Sequence, residues 1–143
     1  MSGTSSPFSD AEREYMLGRG VGRLATLGPD GTPHVRPVVY RFNPADGTID
    51  IGGSKLAATQ KFRNVLKNPR ATFIVDDVAP QGSEAPRPGR GRGVEVRGHA
   101  EVLTGHDRLA SHHSDELIRI RPGRVITWNL SAEQCDTRGR DVR

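Results

Sequence analysis

The chain has 143 residues, 34% hydrophobic, 27% charged and only 5% aromatic, with 17 glycines, 10 prolines and a net charge of +4. That length suits one domain with its own core, so neither disulfides nor metal are needed for folding. No run of about 18 apolar residues is available to cross a membrane, and the opening MSGTSSPFSDAERE lacks the charged-then-apolar layout of a secretory signal.

Residues 1–8 are expected to be disordered. Ser9 and Glu12 form a capping-box pair that starts a helix. Tyr15, Met16 and Leu17 give that helix its apolar face, and Gly18 and Gly20 end it. Residues 21–28 (VGRLATLG) alternate as a strand, Pro29-Asp30-Gly31 is a turn, and residues 34–42 return. Pro37 within the returning strand marks an edge, a bulge or a ligand-facing stretch. A turn over 43–47 leads to a third strand, 48–53. The spacing of Leu56, Phe62, Val65 and Leu66 predicts a helix over 55–67, made basic by Lys55, Lys61, Arg63 and Lys67 and stopped by Asn68-Pro69.

Residues 71–78 (ATFIVDDV) read as a buried central strand. Residues 79–92 form a loop rich in proline, glycine and arginine. A strand follows over 94–103, then a helix over 106–120 with Leu109, Leu117 and Ile118 as contacts, then a last strand over 124–130. The polar tail from Ser131 is expected to be flexible. The count is six strands with two or three helices, and strands this short close into a barrel or sandwich to hide their edges.

No GxGxxG, P-loop, HExxH, CxxC or GxSxG pattern is present, so the usual dinucleotide, metal and acyl-transfer signatures are missing. His34 and His99 read as strand packing residues. His112 and His113 are neighbours that cannot share a metal on a helix. Cys135 is the single cysteine and reads as unimportant; it fits a reducing, cytoplasmic setting. Arg87, Arg90 and Arg92 lack the interleaved aromatics of a nucleic-acid surface, so they read as a solvated loop or one that swings over a ligand. One cluster carries chemistry. Arg36 on its strand, Gly52 and Gly53 at a strand end, and Thr59 and Lys61 on the basic helix can together hold a phosphate. The same cations also suit a solvated face.

The order of these segments resembles the pyridoxamine 5′-phosphate oxidase-like split-barrel superfamily, and within it the actinobacterial branch that uses the deazaflavin coenzyme F-420. The likeness runs from about Gly20 to Leu130. It is carried by GRLATLGPDGTPHVRPVVYRF, TQKFRNVLKNPRATFIVDD, GVEVRGHAEVL and RIRPGRVITWNL. It implies a mainly β fold: a six-stranded antiparallel split β-barrel of the FMN-binding type with flanking helices, paired as a homodimer with cofactor sites at the interface. By resemblance Arg36, Pro37 and Val38 line the ring-binding strand. Thr59 and Lys61 match phosphate contacts. Trp128 matches an aromatic that reaches the cofactor from the partner subunit, or is a core tryptophan. Gln60 stands where the oxidases carry arginine, and Gly93 where they carry a flavin-touching glutamine. Both departures suit coenzyme F-420 better than FMN, and Arg87, Arg90, Arg92 or Lys55 are placed to meet its polyglutamate tail. The implied activity is hydride transfer from the reduced coenzyme to an enone, ketone or quinone-like acceptor, with the proton drawn from solvent or Tyr40. No membrane or nucleic-acid partner is expected. An FMN oxidoreductase of the same fold, a non-enzymatic cofactor or haem carrier and a basic nucleic-acid-binding barrel are the alternatives.

Overall fold

The computed structural model describes residues 6–133 and 136–142, so Cys135 lies outside the described residues. The chain order is α1 (Asp10–Leu17), β1 (Val21–Leu27), β2 (Pro33–Phe42), β3 (Ile49–Gly52), a 3-10 turn (Leu56–Ala58), α2 (Gln60–Lys67), β4 (Arg70–Val78), β5 (Gly91–Leu103), β6 (Leu117–Trp128) and β7 (Arg138–Asp141). The strands are antiparallel and lie in the order β3-β2-β1-β4-β5-β6, and β3 pairs again with β6. The sheet therefore closes into the mainly β, six-stranded barrel that the sequence predicts. Closure leaves no unpaired edge among these six strands.

Alternation decides what fills the barrel. Leu24, Val38, Tyr40, Ile51, Phe73, Val75, Val96 and Ile120 point inward and are buried. The Tyr40 and Phe73 rings meet edge-on at 4.8 Å. Removing each such side chain from water contributes roughly 1.5–3 kcal/mol. Helix α1 starts on a complete capping box, with the Ser9 side chain accepting from the Glu12 amide and Glu12 accepting from the Ser9 amide. It seals one end with Tyr15 and Met16.

Four expectations are corrected. Residues 106–120 are not a helix: 104–116 form a loop, and Leu117 and Ile118 already belong to β6. β6 must reach back that far for Ile118 and Ile120 to pair with Ile51 and Ile49 and close the barrel. The expected helix over 55–67 divides at Thr59 into a 3-10 turn and α2, because Lys55 adopts a left-handed backbone (φ 51°) and Thr59 is extended. The tail contributes β7, which pairs with β6. At the other terminus, Phe8 is buried against Phe42 with ring centroids 5.2 Å apart.

Candidate cofactor site

Helix α2 is amphipathic in an unusual sense. Phe62 and Val65 pack inward, whereas Leu66, expected on the apolar face, is exposed. Gln60, Arg63, Asn64 and Lys67, at spacings of three, four and seven, share one polar face. That face lies against the β1–β2 hairpin. Thr59 is the N-cap: its hydroxyl accepts from the Phe62 amide at 3.4 Å and donates to the Leu56 carbonyl at 2.6 Å. The amides of Gln60 and Lys61 remain as first-turn donors with no intrahelical acceptor.

Two clefts adjoin this helix. The first, of about 530 Å³, is lined by His34, Val35, Arg36, Thr59, Gln60 and Lys61. The structure thus brings together three of the predicted residues, Arg36, Thr59 and Lys61. Burial, and then the nearby Arg36 charge, hold the Lys61 ammonium below its ordinary pKa. Two cations face one notch with no carboxylate in its lining, an arrangement that an anion stabilises. The second cleft, of about 690 Å³, runs between the hairpin turn and α2 and is lined by Arg63, Lys67 and Arg70 among others. Gln60 lines both clefts. Among the described residues none of Arg36, Lys61, Arg63, Lys67 or Arg70 is in an ion pair. By contrast, Arg92, Arg119 and Arg140 each take two hydrogen bonds to one carboxylate.

The other predicted residues lie elsewhere. Val38 is 5% exposed and its side chain sits in the barrel core; Pro37 is exposed on the outer face. Gly52 is closely approached by the His113 ring rather than by open space: a β-carbon there would lie 2.7 Å from His113 Nδ1. The 112–114 segment is stitched to Gly53–Leu56 by Ser54 Oγ donating to the His112 carbonyl (3.0 Å), Ser114 N donating to the Gly53 carbonyl (3.0 Å) and Leu56 N donating to Ser114 Oγ (3.0 Å). Trp128 is not in the core. It lies on the outer face over Gly93, whose β-carbon would meet the indole at 2.6 Å and the Val75 carbonyl at 2.8 Å. Glycine at 93 therefore has a packing reason of its own.

Tyr40 is buried, donates to the Met16 carbonyl at 2.7 Å, and has its pKa raised by burial, so it is no proton source. Arg92 is half-buried rather than free in solvent. It grips Asp77, whose carboxyl falls to about 2, chiefly through that bond, and Asp77 in turn accepts from Tyr15 Oη. Sequence reasoning passed over Asn64 and Arg70 and gave His34 and Gln60 no binding role; the signal for Gln60 and Asn64 was the polar 60/63/64/67 stripe.

The chain is 41% identical over 128 residues to the 5a,11a-dehydrotetracycline/5a,11a-dehydrooxytetracycline reductase of Streptomyces rimosus, covering 89% of this chain and 87% of that one. Among solved structures, a conserved hypothetical protein from Mycobacterium tuberculosis is similar with a TM-score of 0.65 at 23% identity, over 92% of both chains. The structure of an F420 reductase is similar with a TM-score of 0.56 at 24% identity, over 78% of this chain and 94% of that one. Residues 8–129 match the family described as pyridoxamine 5′-phosphate oxidase. With that match spanning both clefts and all six barrel strands, the chain belongs to the pyridoxamine 5′-phosphate oxidase family and has its split-barrel fold.

Proposed function

We propose that this protein is an oxidoreductase that binds reduced coenzyme F-420 and reduces a carbon–carbon double bond conjugated to a carbonyl on a small organic acceptor. The similarity to the dehydrotetracycline reductase supports a reductase and a polycyclic enone as acceptor. One observation favours the deazaflavin over FMN. Past the Arg36–Lys61 notch, the second cleft continues with three further cations that are in no ion pair among the described residues. The chain of FMN ends at its phosphate and leaves Arg63, Lys67 and Arg70 unmatched, whereas coenzyme F-420 continues into an acidic polyglutamate tail. The tail role passes to these residues because none of Arg87, Arg90, Arg92 and Lys55 lines either cleft. Arg92 is committed to Asp77, and its cleft, beside Tyr15 and Glu84, shares no lining residue with the notch.

The bound coenzyme supplies the hydride. Arg36, Lys61 and the first α2 amides would hold its phosphate, and Arg63, Lys67 and Arg70 would line its tail. Solvent would supply the proton that the α-carbon takes up. Titration of the protein with coenzyme F-420 and with FMN, followed by coenzyme fluorescence and calorimetry, is expected to show tighter binding of coenzyme F-420. Tighter FMN binding reverses the assignment. Raising salt should weaken the coenzyme F-420 complex more than the FMN complex, since more ion contacts are screened.

We also propose that a second copy covers the outer face of the barrel. Val21, Val35, Val39 and Val78 are exposed there, alongside exposed Pro37 and half-buried Trp128, and exposed valines on one sheet face make a surface that burial stabilises. Pairing would bring Trp128 to the partner's cofactor. Light scattering at micromolar concentration is expected to give twice the chain mass; a monomer throughout removes the shared site.

A further inference from the structure

The polar face of α2 contains a hydrogen-bonded relay that a solvated helix has no need of. Asn64 is 2% exposed. Its Nδ2 donates to Thr26 Oγ1 at 3.0 Å and lies 2.9 Å from His34 Nδ1, so it is fixed from two strands at once. Its Oδ1 accepts from Gln60 Nε2 at 2.7 Å. With the amide nitrogen of Gln60 so engaged, its Oε1 accepts from Arg63 Nη2 at 2.9 Å, while Arg63 Nη1 donates to the Ala58 carbonyl at 2.9 Å. Every Gln60 polar side-chain atom thus has a partner inside the protein. The Arg63 guanidinium is held by two neutral acceptors, which fix its direction without cancelling its charge. A long, flexible arginine would otherwise lose its rotamer freedom only on binding, at a cost in affinity.

We infer that Gln60 is a specificity-determining residue: anchored by Asn64 at the junction of the two clefts, it pre-positions Arg63 in the second, so that an anionic chain continuing past the phosphate is held and one ending there is not favoured. Gln60 is the one lining residue that the notch shares with the cationic cleft, so it stands where such a chain would pass. It contributes no charge of its own; its effect is transmitted through Arg63, which makes it a positioning residue. The inference rests on the reading that the second cleft takes an acidic extension.

The test is a double-mutant cycle with Gln60→Ala, Arg63→Ala and the double variant. Three probes are titrated by fluorescence: coenzyme F-420 with its polyglutamate tail, the phosphorylated deazaflavin without the tail, and FMN. Each single variant is expected to lose about fivefold in affinity for the tailed coenzyme, the size of one partly solvated ion contact, and to stay within about twofold for the two phosphate-ended probes. The double variant is expected to lose no more than Arg63→Ala alone. Losses that add independently, or that fall equally on tailed and tail-less probes, overturn the positioning role. If the unaltered protein binds tailed and tail-less deazaflavin equally, the reading of the cationic cleft fails first, and this is visible before any variant is made. Thermal melting of each variant checks folding, and tail dependence is a readout that a general loss of stability does not move.

Discussion

Replacing Lys61 with alanine is expected to weaken coenzyme binding roughly ten- to hundredfold, the loss of one charge-assisted contact to phosphate at about 1.5–3 kcal/mol. It should leave the fold intact. Phe62 and Val65 carry the packing of α2, and Lys61 has no carboxylate partner among the described residues. Its nearest charged influence is the repulsive one of Arg36. Removing it relieves that repulsion, so the unliganded melting temperature should stay level or rise slightly. Because burial and Arg36 already depress the ammonium pKa, binding should also weaken at a lower alkaline pH than an ordinary lysine contact would show, as deprotonation removes the charge that the anion needs. Lys67→Ala is the informative companion. It lies in the second cleft, so it should lower affinity for the tailed coenzyme and leave FMN binding unchanged. Dissociation constants for both probes and both variants decide this; a Lys61→Ala protein that binds as tightly as the parent places the phosphate elsewhere.

The parts of the fold governed by neighbours along the chain were legible. The Ser9–Glu12 capping box needs four residues and forms as written. In the Pro29-Asp30-Gly31 turn, Asp30 accepts from the Thr32 amide and Gly31 takes φ 85°, so the local chemistry sets the hairpin register. Residues 106–120 failed because Leu109, Leu117 and Ile118 fit a helical period while the short polar side chains among them bond to backbone instead. Asp115 accepts from the Gly105 amide and Ser114 from the Leu56 amide. What overrides the helix is the pairing of β6 with β3, about 70 residues away in sequence, and no local pattern announces it. The candidate site divides the same way. The resemblance supplied Arg36, Thr59 and Lys61, which the fold does bring to one notch. The second cleft depends on where the β1–β2 turn lands against α2, so Gly28, Pro29 and Gly31 join Arg63, Lys67 and Arg70 only in three dimensions. Gln60 reads in sequence as a missing arginine; its partners Asn64 and Arg63 give it a positive role. Trp128 and Gly93, 35 positions apart, are each intelligible only when paired.

Arg140→Ala is expected to cost about 2–3 kcal/mol at neutral pH, a fall in melting temperature of roughly 6–10 °C. Arg140 lies on β7, yet its guanidinium reaches across 128 residues to Glu12 on α1, at 2.6 and 2.9 Å, and also donates to the Pro7 carbonyl at 2.8 Å. Glu12 is 3% exposed. Burial by itself pushes its carboxyl up, but the Arg140 hydrogen bond, the Ser9 amide and the Arg140 charge outweigh burial and hold it below its ordinary value. A carboxyl whose folded pKa lies below its unfolded one contributes stability above the unfolded pKa and loses it as pH falls through the folded one. In the parent, that contribution is present at neutral pH and disappears below about pH 4. Without Arg140 the sign reverses. Burial then dominates, the Glu12 pKa rises above its unfolded value, and the buried charge destabilises the fold at pH 7 but is relieved by protonation in acid. The gap between parent and variant should therefore be widest at pH 7 and narrow steadily toward pH 4. Thermal or urea unfolding at pH 7, 5.5 and 4 measures it. A gap that stays constant across that range would mean that Arg140 acts through its aliphatic stem and the Pro7 contact, and that Glu12 is not its energetic partner.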